Sequence, residues 1–510
     1  MTAAAVVRDS SGVVTESIDL RLVPAAIVAW VGAAVSVLGP GWPAAWATAV
    51  AAAGLVVLVV AAHARHRRRP GAGPWAAGFL ALLVLLGALA SGAAQRYERA
   101  TGPLADAAAA GWTATVTGVV ADEPAPLTAA WAGSEPRIRY TLAVGTLQAR
   151  GQAATARGAL VVLGRGDPPE MGAAIEVVGR LRPAASGADR AVGVLVADSP
   201  AVTQRGPTGV RRWVAHVRES ARAVVTQVPG DAGGLLLGVA LGDTSGVSED
   251  LSDALAVAGL THLVAVSGAH FAILGALVAA AASACRLPRW GRAAAVGLTG
   301  VLLVLLVGPQ PSVLRAAVMG SVALVGLLAG RPSRAPAALA AAVVVLLLVD
   351  PWLSVELGFA LSVVATGSIV LLGGAWTERW APRLGRGVAA GLAIPLAAQL
   401  ACGPVLLAVR PEVGVYALVA NVLVAPAVGP ATVLGVGAAL VAPWWPGAAS
   451  VLAHLGGAAC WWVAAVGRTV AGAPGASVGW APGVVGFLAL AGACVATAAL
   501  LLRVGARDGR

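Results

Sequence analysis

The chain has 510 residues, 58% of them hydrophobic and only 12% charged. Ordinary soluble proteins carry about 25% charged residues, so a water-soluble globular main body is excluded. The formal net charge is +11, with arginine alone on the basic side; most of it falls in short loops between apolar runs, where it sets topology rather than attracting a polyanion.

In chain order, residues 1–21 are mixed and polar, and three apolar runs follow at about 22–38, 44–62 and 75–94. The first has no A-x-A-like exit and is soon followed by a second, which predicts a membrane anchor rather than a cleaved signal. Between the second and third lies His63-Ala64-Arg65-His66-Arg67-Arg68-Arg69. Four arginines in a short loop predict a cytoplasmic loop, a cytoplasmic N-terminus and an outward third span; a nucleic-acid patch is the competing reading. From about 95 to 205 charges become frequent and balanced, and β-type runs appear at 113–120, 138–146, 159–163, 173–181 and 192–196. Five short strands with Gly- and Pro-rich turns predict a small extracytoplasmic β-barrel of the OB type. Such barrels stack single strands on aromatic rings, but the supply here is thin: Trp112, Trp131 and Tyr140.

Residues 209–228 read as an amphipathic helix at the outer interface or packed on the barrel. A short apolar run, 235–241, ends at the turn Gly242-Asp243-Thr244-Ser245-Gly246. Ser248 then caps a helix that Gly259 ends, with Glu249 and Asp250 in its first turn. This hairpin can be re-entrant, a conformation tolerated only against protein or a water-filled cavity. Nine further spans follow at about 263–284, 293–309, 312–330, 336–349, 356–374, 387–409, 414–442, 449–467 and 482–502, the seventh interrupted by Pro426 and Pro430. The arginine groups 286/289/292, 331/334, 379/383/386 and 503/507/510 fall on alternate loops. The expectation is therefore a polytopic α-helical membrane protein of about 12 spans, both termini cytoplasmic. Its divisions are 1–94, 95–205, 206–262 and 263–510: the N-terminal spans, the OB-like domain, the amphipathic helix with the hairpin, and a nine-span bundle.

Polar side chains at the mouths of spans are expensive and mark sites or partners. His262, Ser267, Gly268 and His270 gather at the start of the first of the nine spans. If that stretch is helical, His262 and His270 lie roughly 12 Å apart along the axis, too far to share a metal ion, and Ser267 neighbours His270. Two readings stand: polar groups satisfied inside a bundle, or a pore-lining cluster. Arg315 sits four residues inside a span, where it either snorkels to the interface or faces the interior and grips phosphate with its planar fork. Asp350 and Glu356 flank the fifth span and are candidates to partner Arg315 or rim the outer mouth. Gln399 and Asn421 need hydrogen-bond partners, with helix–helix glue the leading role. The four cysteines lie in or beside apolar segments without CxxC spacing, and the six histidines form no ligand cluster with acids; neither metal nor cofactor is expected.

Asp243 followed by Gly259-Leu260-Thr261-His262-Leu263-Val264-Ala265-Val266-Ser267-Gly268-Ala269-His270 resembles the signature of the ComEC competence-protein family, with Ala269 where a larger apolar residue is usual. Pro311-Ser312-Val313-Leu314-Arg315-Ala316-Ala317-Val318-Met319, Asp350-Pro351, Gly358-Phe359-Ala360-Leu361-Ser362, Gln399 and Asn421 follow in order. The resemblance covers roughly 229–442. It implies an inner-membrane channel importing single-stranded DNA in natural transformation, with a β domain outside the membrane. The partners it implies are the DNA strand, membrane lipids, a competence DNA receptor, an external nuclease and a cytoplasmic ATPase or DNA-binding motor. The metallo-β-lactamase-like module common in the family is not expected here, because its His-x-His-x-Asp-His pattern is absent. Walker A is absent too, so no enzyme activity is expected. Two rivals remain from the residues alone: a small-molecule transporter or exporter, and an intramembrane enzyme with Ser267 as nucleophile and His270 as base.

Overall fold

The computed structural model describes residues 2–3, 18–19, 21–38, 74–127, 137–186, 189–264, 266–328 and 335–504. The expected second span at 44–62, the arginine tract before the third, Trp131, Ala265, the Arg331/Arg334 loop and residues 505–510 lie outside them. The chain forms two compact units, one of residues 24–219 with 344–355, the other of 1–23, 220–343 and 356–510.

The first unit begins with α1 (Val23–Leu38) and α2 (Pro74–Ala100), joined through Val28, Ala81, Leu85 and Leu89. A short helix, α3 (Pro103–Ala109), leads into β1 (Thr113–Val120), β2 (Ala125–Leu127), β3 (Arg137–Ala149), β4 (Gln152–Arg165), β5 (Ala174–Pro183), β6 (Gly193–Ala197) and β7 (Val202–Arg205). The five expected strands are all present, and β3 and β4 run longer than the β-type runs suggested because they continue to a two-residue turn. Ala149 pairs with Gln152, and Arg150 and Gly151 both take positive φ, +52° and +77°. That is the twist a tight hairpin demands. β1 pairs with β3 on one side and β5 on the other, β3 with β4, β4 with β6 in parallel, and β6 with β5. The pairings thus return to the first strand. Alternate residues of these strands, including Val116, Tyr140, Leu142, Leu160, Val162, Ile175, Val177 and Leu195, fill one core with Leu104 from α3. Period-2 alternation explains why the strands bury one face only.

α4 (Val210–Val225) crosses into the second unit, with Val214, Val217, Ala221 and Val224 buried. Buried Arg218 on the same helix pairs with Glu123.

In the second unit α5 (Ala232–Leu241) and α6 (Glu249–Val257) form the expected hairpin. α5 ends on Gly242 at φ +70°, Ser248 Oγ accepts from Leu251 N–H at 3.4 Å, and Gly259 turns the chain at φ +69°. After a 3-10 turn at Thr261–Leu263 come α7 (Gly268–Ala284), α8 (Arg289–Val307), α9 (Pro311–Leu328) and α10 (Ala335–Val349), the last shared with the first unit. A further 3-10 turn, Pro351–Val355, precedes α11 (Leu357–Ser368), which continues through a wide π turn at Ile369–Gly373 into α12 (Gly374–Leu384). α13 (Arg386–Leu406), β8 (Glu412–Gly414), α14 (Ala417–Val441), α15 (Pro446–Ala471), β9 (Ser477–Gly479) and α16 (Gly483–Val504) complete the order. Among the described residues seven helices are long and apolar enough to cross a membrane; α1, α7, α9 and α10 are shorter apolar helices. The stretch around Pro426 and Pro430 is one continuous α14, not a broken one.

The hairpin is seated by glycines. A β-carbon would stand 2.8 Å from Ala240 Cβ at Gly435, 3.0 Å from Leu236 Cδ1 at Gly456, 2.6 Å from Val228 Cγ1 at Gly457 and 2.9 Å from Leu255 Cδ2 at Gly467. Such small residues let helices approach where lipid offers no competing hydrophobic drive. Gln227 Oε1 accepts from Ser450 Oγ (2.8 Å) near one end of α15, while Asp231 pairs with Arg468 near the other. The segment therefore runs along α15 and is buried in the bundle, as a re-entrant element requires. Gly457→Leu is expected to unseat it: the thermal midpoint of the purified protein falls and its yield in the membrane drops, whereas Gly320→Leu, at a glycine facing no other group within 4 Å, leaves both unchanged.

Candidate functional site

The stretch from His262 to His270 is not one helix. Two backbone breaks, the 3-10 turn and the extended Ser267, separate the two histidines. Ser267 caps α7: its N–H donates to His270 Nδ1 (3.0 Å), its Oγ accepts from Ala269 N–H (3.3 Å), and Oγ and Nδ1 lie 3.2 Å apart. The i, i+3 neighbours expected from the sequence meet, but as a reciprocal capping box. With its Nδ1 lone pair engaged by a backbone N–H, a neutral His270 carries its proton on Nε2, which is buried and makes no hydrogen bond of normal geometry. A serine nucleophile needs a base with a free lone pair, and the Nδ1 lone pair facing Ser267 is taken by a backbone N–H. His262 is different. It is exposed, in the 3-10 turn before α7.

Asp243 is buried and spoken for. It accepts from Arg222 Nε (2.7 Å), from Ser245 N–H (3.1 Å) and from Ser245 Oγ (2.6 Å). Its carboxylate closes the α5–α6 turn on α4. Asn421 donates from Nδ2 to the Ala417 carbonyl (2.8 Å) and to Gly259 O (3.5 Å), tying α14 to the loop before His262. Gln399 is half-buried on α13 and its amide makes no hydrogen bond among the described residues. Asp350 belongs to the sheet-bearing unit, where it pairs with Arg190. Glu356 is exposed at the start of α11.

Arg315 is 4% exposed. It does not snorkel, and it makes no ion pair among the described residues. Nε donates to Ser362 Oγ (2.7 Å), and Nη1 to Thr366 Oγ1 (2.7 Å) and Met319 Sδ (3.4 Å). Thr366 Oγ1 in turn donates to the Ser362 carbonyl (2.8 Å). Ser312 Oγ, one turn before Arg315, donates to Val266 O (2.8 Å) and pins α9 to the chain leading into α7. A β-carbon on Gly268 would lie 3.6 Å from Arg315 Nη2. Arg315 therefore sits beside the start of α7, so two parts of the sequence-derived site do come together. Thr366 was missed from the sequence, though a hydroxyl four residues beyond Ser362 in an apolar helix was a readable signal.

In the sheet-bearing unit, Tyr140 is no stacking platform. It is 1% exposed, and burial pushes its phenol up to about 12. Trp112 is partly exposed with the Arg150 guanidinium 4.2 Å over its ring.

Long apolar helices, a sheet inserted near the N-terminal end and polar groups buried within the helices define a multi-pass membrane protein. A family model described as competence protein matches residues 239–504, just over half the chain, and the chain belongs to that family. It is similar to ComE operon protein 3 of Bacillus subtilis (strain 168), 34% identical over 144 residues, which are 28% of this chain and 19% of that protein. The matched stretch thus spans about a fifth of that relative's length. No solved structure matches.

Asp243→Asn keeps the shape of the turn and removes the charge facing Arg222. The expected loss of stability is roughly 2–3 kcal/mol, below that of a fully buried pair because Arg222 stays half hydrated. Thermal unfolding of the purified protein checks this, and Arg222→Gln in the Asp243→Asn background should add little, since the two residues share one interaction.

Proposed function

We propose that this chain forms the conduit for single-stranded DNA across the cytoplasmic membrane in natural transformation. The observation that carries the reading is Arg315. A guanidinium inside a membrane helix is costly, up to roughly 2.5–3.5 kcal/mol at the helix centre on insertion scales and less toward an end, where Arg315 lies. Here it is held by two hydroxyls and a thioether, without a carboxylate among the described residues. A fixed positive charge left without a counter-charge suits an anionic substrate that arrives and leaves. Exposed His262, Ser267 and Gly268 at the start of α7 and the unbonded amide of Gln399 supply further polar lining. His270, Asp243 and Asn421 hold that lining in place. Asp350 and Glu356, on either side of the Pro351–Val355 turn, belong to the outer mouth in this reading.

The closed cycle of strand pairings supports an OB-type barrel for 95–205, outside the membrane. In the same reading 1–94 carries three spans, 206–262 the amphipathic helix and re-entrant hairpin, and 263–510 about nine spans. Two loop contacts fit this topology, whereas Gln227 with Ser450 ties 206–262 to the end of α15 that it places inside. β8 pairs with β9 in antiparallel register, Val413 opposite Val478, and Arg410 Nη2 lies 3.7 Å from Asp253 Oδ1. Each contact joins segments that the arginine alternation assigns to the outer side. The driving force would come from a cytoplasmic ATPase or DNA-binding motor, and the strand from a receptor and an external nuclease.

Two outcomes test the proposal. Reporter fusions at Gly151 should read outside and at Arg510 cytoplasmic; both on one side would remove the twelve-span topology. Uptake of labelled DNA should fall in Arg315→Lys, with protein level and membrane insertion unchanged, and fall further in Arg315→Ala. Lysine keeps the charge but loses the fork that holds Ser362 and Thr366 while facing substrate, so wild-type uptake in both variants would take Arg315 out of the strand's path.

A further inference from the structure

We infer that Arg315 and the first residue of α7 form a seat for a single phosphodiester group, and that the missing side chain of Gly268 is what keeps the seat open. The inference deepens the proposed function and rests on it for the identity of the strand.

The donors converge. Arg315 uses Nε and Nη1 on Ser362, Thr366 and Met319, which leaves both Nη2 hydrogens without a partner. The side chain as a whole is 96% buried, yet Nη2 is not among the polar atoms sealed from solvent without a hydrogen bond. It therefore keeps some exposure to solvent. Gly268 is its neighbour: a β-carbon there would stand 3.6 Å from Nη2. At the same helix end the Ser267 N–H is held by His270 Nδ1, the Ala269 N–H by Ser267 Oγ and the His270 N–H by Ser267 O (3.1 Å). The Gly268 N–H makes no hydrogen bond among the described residues. It is an orphan donor at the positive end of a 17-residue helix, beside an unpaired guanidinium edge.

The chemistry matches a monoanion with two exposed oxygens. One amide N–H and one guanidinium edge present donors to the same point, and one arginine charge balances one phosphodiester charge. No base-reading group is needed, so the seat distinguishes a phosphodiester from a neutral ligand and not one nucleotide from another. The same chemistry occurs in a nucleic-acid backbone and in a phospholipid headgroup.

Gly268 makes the idea testable without breaking the fold. It has ordinary helical φ, and an added methyl meets only Nη2 at 3.6 Å and Ala316 Cβ at 3.9 Å, both normal contacts. Alanine is a better helix former than glycine, so Gly268→Ala should not destabilise α7. It would nonetheless fill the space in front of Nη2 and cover the orphan N–H.

The experiment uses the full chain purified in maltoside micelles, with a fluorescent oligothymidylate and an abasic oligonucleotide of the same length followed by anisotropy. Gly268→Ala should weaken both by about tenfold or more, the loss of one charge-assisted hydrogen bond, at an unchanged thermal midpoint, while Gly320→Ala binds as wild type. Added phosphatidylglycerol separates the sources. If it displaces the strand from wild type and binds Gly268→Ala weakly, the seat takes a headgroup; if it does not compete, the seat takes the strand. Gly268→Ala binding within about twofold of wild type, where wild type binds well, would overturn the seat and leave the DNA conduit standing. Failure of wild type to bind either oligonucleotide would instead remove the conduit, and Gly268-dependent binding of phosphatidylglycerol would then still uphold the seat.

Discussion

A bilayer offers no hydrogen bonds, so each polar group in the helical unit must find its partner in the chain. The hydroxyls do this locally: Ser283, Thr299, Ser321, Thr432 and Thr469 each donate to the carbonyl one turn back, at 2.7–2.9 Å. Asn421 does the same and reaches a second carbonyl besides. Asp243 finds an arginine and its own turn. Against this background the free edge of Arg315 and the unbonded amide of Gln399 stand out, together with His270 Nε2, Trp376 Nε1 and Arg379 Nε, which are buried without a hydrogen bond of normal geometry among the described residues.

The same constraint explains the packing. Helices that cannot rely on hydrophobic drive associate by fit, and the fit between α5, α14 and α15 is made by glycines rather than by large side chains. A β-carbon on any of those glycines would come within 2.6–3.0 Å of a neighbouring side chain, which would have to shift. The hairpin before α7 is consequently fixed against the bundle, and with it the turn that carries His262 and the cap that begins α7. The polar cluster is thus positioned by residues that themselves carry no chemistry.

Much of this was legible in the sequence. The five strands followed from alternating β-branched residues and turn signals, and the hairpin's ends from Ser248 and Gly259. The helices from α11 onward followed from apolar length, except α12, which forms where Arg379 and Arg383 pointed to a loop. What could not be read was the backbone at the motif itself. An apolar run beginning at Leu263 looks like a helix from that point, and only the reciprocal bonds of Ser267 and His270 reveal that the helix starts later. Partner choice was equally hidden. Asp350 and Arg315 look like natural partners by charge, but each bonds elsewhere, Asp350 to Arg190 and Arg315 to neutral hydroxyls. Spacing along a chain defines neighbours within a helix and says little about neighbours between helices.

The π turn at Ile369–Gly373 decides which way two halves of a long helix look. In an uninterrupted α-helix, Ser362 and Trp376 are fourteen residues apart and would lie about 40° from one another, on one face. One extra residue in the turn moves them to about 140°, on opposite faces. Ser362 and Thr366 can then hold Arg315 while Trp376 and Trp380, stacked at 5.9 Å, pack with Ala393 and Ala397 of α13 and with Ala498 and Leu501 of α16. A straight rod would have had to present its hydroxyls and its indoles to the same neighbour. Deleting a single residue in this turn would therefore rotate one half against the other by more than a quarter of a turn without changing any side chain, so the length of this helix is constrained as tightly as its composition.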